Sequence, residues 1–317
     1  MTARVSIIMP CWNAAGHLAR SVGSIRAQTA GDWELVVVDD GSTDDSWAVA
    51  SALAARDGRI RTLRQANAGA AAARNRALDE ARAPLVAFLD ADDTWEPTFL
   101  QEMTAALAAD PQAGIAYCGW QHHGLGGGRD DPFVPPEYEG TDKVEVFLGG
   151  CRWPIHAALT RRALIIDAGK FDPMLSSCMD YDLWLRVAPQ VRLVRVPEVL
   201  AHYWHHGSGQ ITSNRARIAL NHWRAQRKYL DAHPAEAARL GRRRVRELTA
   251  GELLQRGYTA YWRRDLPAAR AIFRAVMRQG YGGARDWAYM LPAWLPLPWH
   301  TGLLKRRDQP SRTGDLP

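Results

Sequence analysis

In Phe88-Leu-Asp90-Ala-Asp92-Asp93, an apolar run over residues 85–89 ends in three carboxylates. Such a run reads as a strand buried on both faces, and the carboxyl ends of strands in an open α/β sheet are where ligands bind. Three like charges repel one another there unless a cation or a hydrogen-bonding ligand offsets them. A hard divalent cation takes oxygen ligands and suits the Asp-x-Asp pair. The competing reading is a helix N-cap: Asp92 or Asp93 heading a helix over residues 96–107 accounts for one carboxylate and leaves Asp90 unexplained.

Two further strand-like runs, 5–9 and 34–38, end in Pro10-Cys-Trp12-Asn13 and Asp39-Asp40-Gly41-Ser42. An aromatic face such as Trp12 can carry a stacked nucleobase, and a carboxylate such as Asp39 accepts hydrogen bonds from base or ribose. A strand-end Trp is more often core, and an Asp there more often caps a turn. At successive strand ends, however, the residues describe a nucleotide pocket. The helix opening at Asn67-Ala-Gly places Arg74 and Asn75 about a turn and a half inside, where an arginine either pairs phosphate oxygens or is simply solvated. Neither Gly-x-Gly-x-x-Gly nor Gly-x-x-x-x-Gly-Lys-Ser/Thr occurs, which argues against a dinucleotide oxidoreductase and a P-loop enzyme.

The elements that must hold these residues alternate. Strand-like runs at 5–9, 34–38, 60–63, 85–89 and 114–118 are separated by helical patterns, which predicts βαβ units and a parallel sheet. Ser42-Thr-Asp44 and Asn67-Ala-Gly69 mark helix starts, and Gly124-Leu-Gly-Gly-Gly128 reads as a mobile loop. From 140 to 212 the signals mix: a helix near 143–148, a strand over 155–160, a helix around 181–187, and extended runs at 191–196 and 199–204. Beyond Asn214 helical periodicity dominates, over 215–230, 235–254 and 261–277. Gly257-Tyr-x-x-Tyr261 with Asp265, Ala268, Ala269 and Phe273 resembles one helical-hairpin repeat, and one copy makes no array. The expected organisation is a catalytic domain over 1–214, a helical extension over 215–307, and a disordered end over 308–317.

Charge divides along the same line. Residues 1–214 carry 19 Lys and Arg against 26 Asp and Glu, and residues 215–317 carry 21 against 8. A basic region of this kind attracts nucleic acid, an anionic membrane surface or an acidic partner, or is a solvated helical face. The tryptophan-rich end (Trp287, Trp294, Trp299), broken by Pro292, Pro296 and Pro298 and followed by Lys305-Arg306-Arg307, either lies on a membrane surface or docks the tail on the helical bundle, and no nucleic acid is expected. Four scattered cysteines without a Cys-x-x-Cys pair indicate buried thiols. With a strand-like run starting at residue 5 and no apolar run of about 18 residues, neither a leader nor a spanning helix is expected. A cytoplasmic protein is expected, with the inner face of the plasma membrane as the surface its tail would meet.

Val5-Ser-Ile-Ile-Met-Pro-Cys-Trp-Asn13, Val36-Val-Val-Asp-Asp-Gly-Ser-Thr-Asp44, Asn67-Ala-Gly-(x)4-Arg-Asn75 and Phe88-Leu-Asp-Ala-Asp-Asp93 together resemble the signature of family 2 glycosyltransferases of bacterial polysaccharide or glycolipid synthesis. The resemblance covers residues 4–119 strongly and 150–214 through Gly169-Lys-Phe-Asp172, Met179-Asp-Tyr-Asp-Leu-Trp-Leu-Arg186 and His202-Tyr-Trp-His-His206. It implies a GT-A fold, Rossmann-like, with a mostly parallel central sheet and flanking helices. Residues 1–119 would then bind the nucleotide-sugar, and 120–214 the acceptor and base. The implied activity is inverting transfer from a nucleoside-diphosphate sugar, a UDP-sugar first, to a hydroxyl of a lipid-linked or surface glycan, with Mn²⁺ or Mg²⁺. Pro10, Trp12, Asn13 and Asp39 would hold the base side of the donor, Arg74 the base or diphosphate, Asp90 the ribose and Asp92 the metal.

Asp180 is the implied general base, because direct transfer with inversion needs a group to deprotonate the attacking hydroxyl. Met179 stands where the family commonly has a second acidic residue, and is a candidate acceptor contact. Trp204 stands where the family often has Arg, and His205 or His206 would touch metal or phosphate. Residues 124–139 and 151–156 form the expected acceptor wall, with Trp153 as a sugar platform or a core residue. A sugar nucleotidyltransferase would need a Gly- and Arg-rich loop that Pro10-Cys-Trp-Asn-Ala-Ala-Gly16 lacks. A non-catalytic scaffold leaves Asp90, Asp92 and Asp180 without a purpose.

Overall fold

The structure, a computed structural model, describes residues 3–126, 130–206 and 214–308. The chain forms two compact units, Met1–Ile211 and Thr212–Pro317. The first holds strands β1 (Val5–Cys11), β2 (Trp33–Asp40), β3 (Ile60–Gln65), β4 (Leu85–Phe88), β5 (Thr94–Trp95), β6 (Ala113–His123), β7 (Ala158–Arg161) and β8 (Arg192–Trp204). Its helices are α1 (Ala15–Arg26), α2 (Ser46–Arg56), α3 (Ala70–Glu80), α4 (Phe99–Ala109), α5 (Lys143–Leu148), α6 (Arg162–Asp167) and α7 (Met179–Val187).

One sheet runs in the order β3-β2-β1-β4-β7-β6-β8-β5. β1 to β4 are mutually parallel, β7 opposes β4 and β6, β8 runs with β6, and β5 opposes β8. Every residue of β2 and β4 is buried, as the continuous apolar runs require. The chain winds outward from β1 through β2 to β3, then returns to place β4 on the other side of β1. The topological switch point therefore lies between β1 and β4, where such sheets open a ligand crevice beyond their carboxyl ends. Trp12 and Asp90 follow these two strands directly.

Local differences from the sequence reading have simple causes. Residues 155–157 form a short 3-10 turn ahead of β7, and the two runs at 191–196 and 199–204 are one strand. That strand crosses Pro197 by shifting register against β6 near Gly119, as a bulge allows. The helix after Ser42 begins only at Ser46, because Asp44 turns back to accept the Ser46 N–H. In the glycine-rich loop, Asp130 accepts the N–H groups of Gly124, Leu125 and Gly126, so these residues are tied down; residues 127–129 lie outside the described residues. So do residues 207–213 and 309–317, the latter within the expected disordered end.

The second unit contains α8 (Arg215–Ala232), α9 (Pro234–Arg246), a π-helical segment Glu247–Gly251, α10 (Glu252–Trp262), α11 (Leu266–Arg278), α12 (Ala284–Met290), a 3-10 turn Leu291–Trp294 and α13 (Leu297–Asp308). The single helix expected over 235–254 is broken at Gly241, whose φ of 78° is left-handed. The core gathers Leu253, Leu254, Tyr261, Ile272, Phe273 and Val276. α10 and α11 make the hairpin foreseen from Gly257 and Phe273: a Cβ on Gly257 would lie 2.6 Å from the Phe273 ring, and Asp265 caps α11 through the Ala268 N–H. Among the described residues no helix is long and apolar enough to cross a membrane.

Gly41 closes the turn after β2 with φ 72°, and a Cβ there would stand 2.7 Å from the Asn67 backbone nitrogen. Gly41→Ala is expected to cost about 1–3 kcal/mol through strain and clash. Gly16→Ala, in open space inside α1, should leave stability unchanged or raise it by up to about 1 kcal/mol. Paired denaturant titrations check the contrast.

Candidate active site

A cavity of about 730 Å³ opens at the carboxyl ends of β1, β2 and β4. Pro10, Trp12, Asn13, Asp40, Arg74, Asp90, Asp92, Met179 and His206 all line it. Trp12 is half exposed, with its ring available to the cavity. Asn13 adopts φ 49° and holds the loop in place: its N–H donates to Ser42 Oγ and its side-chain oxygen accepts the Thr43 N–H (3.0 and 2.8 Å). Asparagine tolerates this left-handed conformation better than most residues.

Asp39 and Asp40 separate as neighbours on a strand must, their side chains pointing to opposite faces. Asp39 is fully buried and does not line the cavity. Its carboxylate pairs with Nε of Arg64, its register partner on β3, at 3.0 Å. Asp40 does line it, and accepts the N–H groups of Ala68 and Gly69 at 2.9 and 2.7 Å. A carboxylate at a helix N-terminus satisfies orphan donors and favours the dipole, so Asp40 fixes the start of α3 and thereby the position of Arg74.

Arg74 is 3% exposed and donates one Nη to Asp90 Oδ1. Its Nε and other Nη have no protein partner, and the guanidinium stands over the Phe171 ring at 5.5 Å. Asn75 secures that ring: it exchanges two hydrogen bonds with the Phe171 backbone, at 2.8 and 2.9 Å. A buried cation with unmet donors beside a cavity suits an anionic ligand.

Residues 90–93 form a turn, with the Asp93 N–H donating to the Asp90 carbonyl. Thr98, not Asp92 or Asp93, occupies the N-cap of α4. Asp93 instead faces inward: it accepts the Trp204 N–H at 3.0 Å and lies 3.3 Å from His156 Nδ1. Burial, together with the charges of Asp92 and Asp90, pushes the Asp93 carboxyl well above the usual range. Burial likewise lowers His156 to about 3. Both shifts favour uncharged forms, which limits the charge crowded at this edge.

Asp92 faces the cavity, its Oδ2 2.7 Å from His206 Nε2. His206 stacks on His17, and Arg20 of the same helix donates to the Asp92 carbonyl while lying over the Trp204 ring. His205, expected at metal or phosphate, turns to His122 on β6, with ring nitrogens 3.1 Å apart. Of the two histidines, His206 is the one set against Asp92. Among the described residues no group of three or more His, Cys, Asp or Glu side chains converges as a metal centre. The carboxylate of Asp92 with the imidazole of His206 fits a cation that completes its shell with phosphate oxygens, as Mg²⁺ commonly does, and not a closed protein cage.

Asp180 sits in the first turn of α7, half-buried, accepting its neighbour Tyr181's N–H. Burial raises its carboxyl above the ordinary value; the nearby Arg74 cation opposes the shift and Asp90 adds to it. Arg186 anchors α7 by bonding Asp182 and the carbonyls of Ala168 and Lys170. Trp153 is not available to an acceptor: it is 1% exposed, stacked on Tyr117 at 4.6 Å and edge-on to Phe147. Its four aromatic neighbours, Tyr117, Tyr138, Phe147 and Trp184, are scattered in sequence, which hides the cluster from local pattern. Asp40, His17, Arg20 and His206 escaped prediction or were secondary to neighbours, and only strand alternation offered a signal for Asp40.

The unmet donors of Arg74 predict anion binding. Titration calorimetry with pyrophosphate should show an affinity that Arg74→Gln lowers by about 10- to 100-fold, the range of a lost charge-assisted bond.

The family model described as "Glycosyl transferase family 2" matches residues 6–165. The UDP-Glc:alpha-D-GlcNAc-diphosphoundecaprenol beta-1,3-glucosyltransferase WfgD of Escherichia coli is 46% identical over 92 residues, covering 29% of this chain and 36% of that protein. The matched segments span 25% to 39% of the first curated relatives. S. aureus TarS 1-349 in complex with UDP-GlcNAc superposes with TM-score 0.64 at 17% identity, over 92% of this chain and 84% of that one. The mannosyltransferase PcManGT from Pyrobaculum calidifontis, in complex with GDP-Man and Mn²⁺, gives 0.58 at 20%, over 97% and 85%. At these identities the two structures establish the shared GT-A fold. With half its length matched by the family model, including the segments that carry Trp12, Asp40, Arg74, Asp90 and Asp92, the chain belongs to glycosyl transferase family 2.

Proposed function

We propose that the chain transfers a sugar with inversion from a nucleoside-diphosphate sugar, a UDP-sugar first, to a hydroxyl of a lipid-linked or surface-glycan acceptor. The observation that carries this reading is the meeting of Trp12, Arg74, Asp90, Asp92 and His206 around one cavity, with Asp180 close enough to feel Arg74 and Asp90. The UDP-GlcNAc and GDP-Man complexes of the structural relatives, and the lipid diphosphate in WfgD's name, support donor and acceptor classes.

In this mechanism Trp12 stacks the base and Pro10 and Asn13 shape its wall. Asp90 accepts from the ribose. Asp39 reaches the base only if Arg64 releases it, so Asp40 is the nearer carboxylate on that side. Arg74 directs its two unpaired N–H groups at the diphosphate and keeps Asp90 oriented. Asp92 and His206 would hold Mn²⁺ or Mg²⁺, which would offset the charge of the diphosphate leaving group. Asp180 takes the proton of the acceptor hydroxyl as oxygen attacks the anomeric carbon and the bond to the diphosphate breaks. Met179 lines the cavity beside it and supplies apolar contact to the acceptor.

Asp180→Asn should lower turnover by about 100-fold or more while donor affinity is kept. Unchanged turnover would remove Asp180 from the chemistry. A base acts deprotonated, and burial raises this carboxyl. Activity should therefore climb with pH along an acid limb lying above the ordinary carboxylate range. Asp92→Ala should abolish the Mn²⁺-dependent part of UDP-sugar binding in calorimetry, and equal binding with and without Mn²⁺ in the parent chain would contradict the metal role.

A further inference from the structure

The second unit carries an apolar surface that its own core does not use. Trp262, Leu291, Trp294, Leu297 and Trp299 are each between 42% and 69% exposed, in a unit that buries Met290 and Ala293 completely. Leu291 and Trp294 lie three apart in a 3-10 turn, where such side chains eclipse on one edge, while Ala293 points to the core. Arg274 and Arg278, one turn apart on α11, both stand over the Trp294 ring, at 5.2 and 5.5 Å. Trp262 at the end of α10 meets Tyr289 of α12, and Arg263 next to it in sequence is exposed. The segment is held in shape: Arg274 donates to the Ala293 carbonyl and Arg270 to that of Leu295.

Single exposed apolar residues are ordinary, but a run of four, Leu291, Trp294, Leu297 and Trp299, with two arginines over one of its rings marks an interface. Its charge selects the occupant. Residues 215–317 carry 21 Lys and Arg against 8 Asp and Glu. A second copy meeting it through the same face would bring one strongly basic surface against another. An anionic lipid surface meets both features: indole rings settle at headgroup level, and arginines lay their stems along apolar surface while reaching phosphate. We infer that this face docks the chain on anionic lipid, with Trp294 and Trp299 at headgroup depth and Arg263 and Arg278 on the lipid phosphates. The inference goes beyond the proposed transfer, since docking requires neither donor nor turnover.

The test is co-sedimentation of the full chain with phosphatidylcholine vesicles, with and without about one-third phosphatidylglycerol. Binding to the anionic vesicles alone, lost in high salt, is expected. Trp294→Ser with Trp299→Ser should weaken it about tenfold or more. Arg263→Gln with Arg278→Gln should weaken it about tenfold or more, at roughly 1 kcal/mol per surface cation. All four residues are exposed, so melting temperature and pyrophosphate binding should stay unchanged in both variants. Equal partitioning of parent and variants would overturn the inference. So would failure to bind vesicles together with a concentration-dependent dimer that Trp294→Ser with Trp299→Ser abolishes, which would assign the face to a second copy.

Discussion

Carboxylate crowding at one sheet edge is the constraint on which the rest of this molecule depends. Asp39 and Asp40 end β2, Asp90, Asp92 and Asp93 follow β4 on the other side of β1, and Asp180 approaches from α7. Uncompensated, such charges repel and resist burial. Each has its own remedy: Arg64 for Asp39, helix N–H groups for Asp40, Arg74 for Asp90, His206 for Asp92, and the Trp204 N–H with His156 for Asp93. Two components keep spare capacity, namely Asp92 toward a cation and Arg74 toward an anion. A metal-bound diphosphate matches that pair.

The remedies also assemble the site. Asp40 seats α3, which delivers Arg74; Asn75, next on that helix, fastens the loop through Phe171 that Arg186 ties to α7. Asp93 fixes the end of β8 through Trp204, which leaves His206 two residues later against Asp92. Elements far apart in sequence are therefore positioned by polar contacts close to the chemistry. Disturbance of one acidic residue is expected to spread to partners that never touch a ligand.

Much of this was legible in the chain. The continuous apolar runs gave β1, β2 and β4 because strands buried on both faces need no alternation, and their carboxylate ends marked the edge of the cavity. Asn67-Ala-Gly69 marked the start of α3, whereas the run read as one helix over 261–277 is divided between α10 and α11. Choices between adjacent residues were less legible. Whether Asp39 or Asp40 faces the cavity depends on the strand's phase against the sheet, and motif spacing carries no record of it. Trp153 was the least readable, since its burial is decided by four rings brought together only by the fold.

The central claim is that the Asp90–Asp92 turn and Arg74 form one site for a metal-bound nucleoside diphosphate. A crystal grown with UDP and Mn²⁺, with the metal located by its anomalous scattering, tests it most directly. The account predicts a single strong peak between Asp92 and the diphosphate, with Arg74 on a phosphate oxygen and the base against Trp12. Well-ordered UDP with its diphosphate away from Arg74, or Mn²⁺ bound without contact to Asp92, would contradict it.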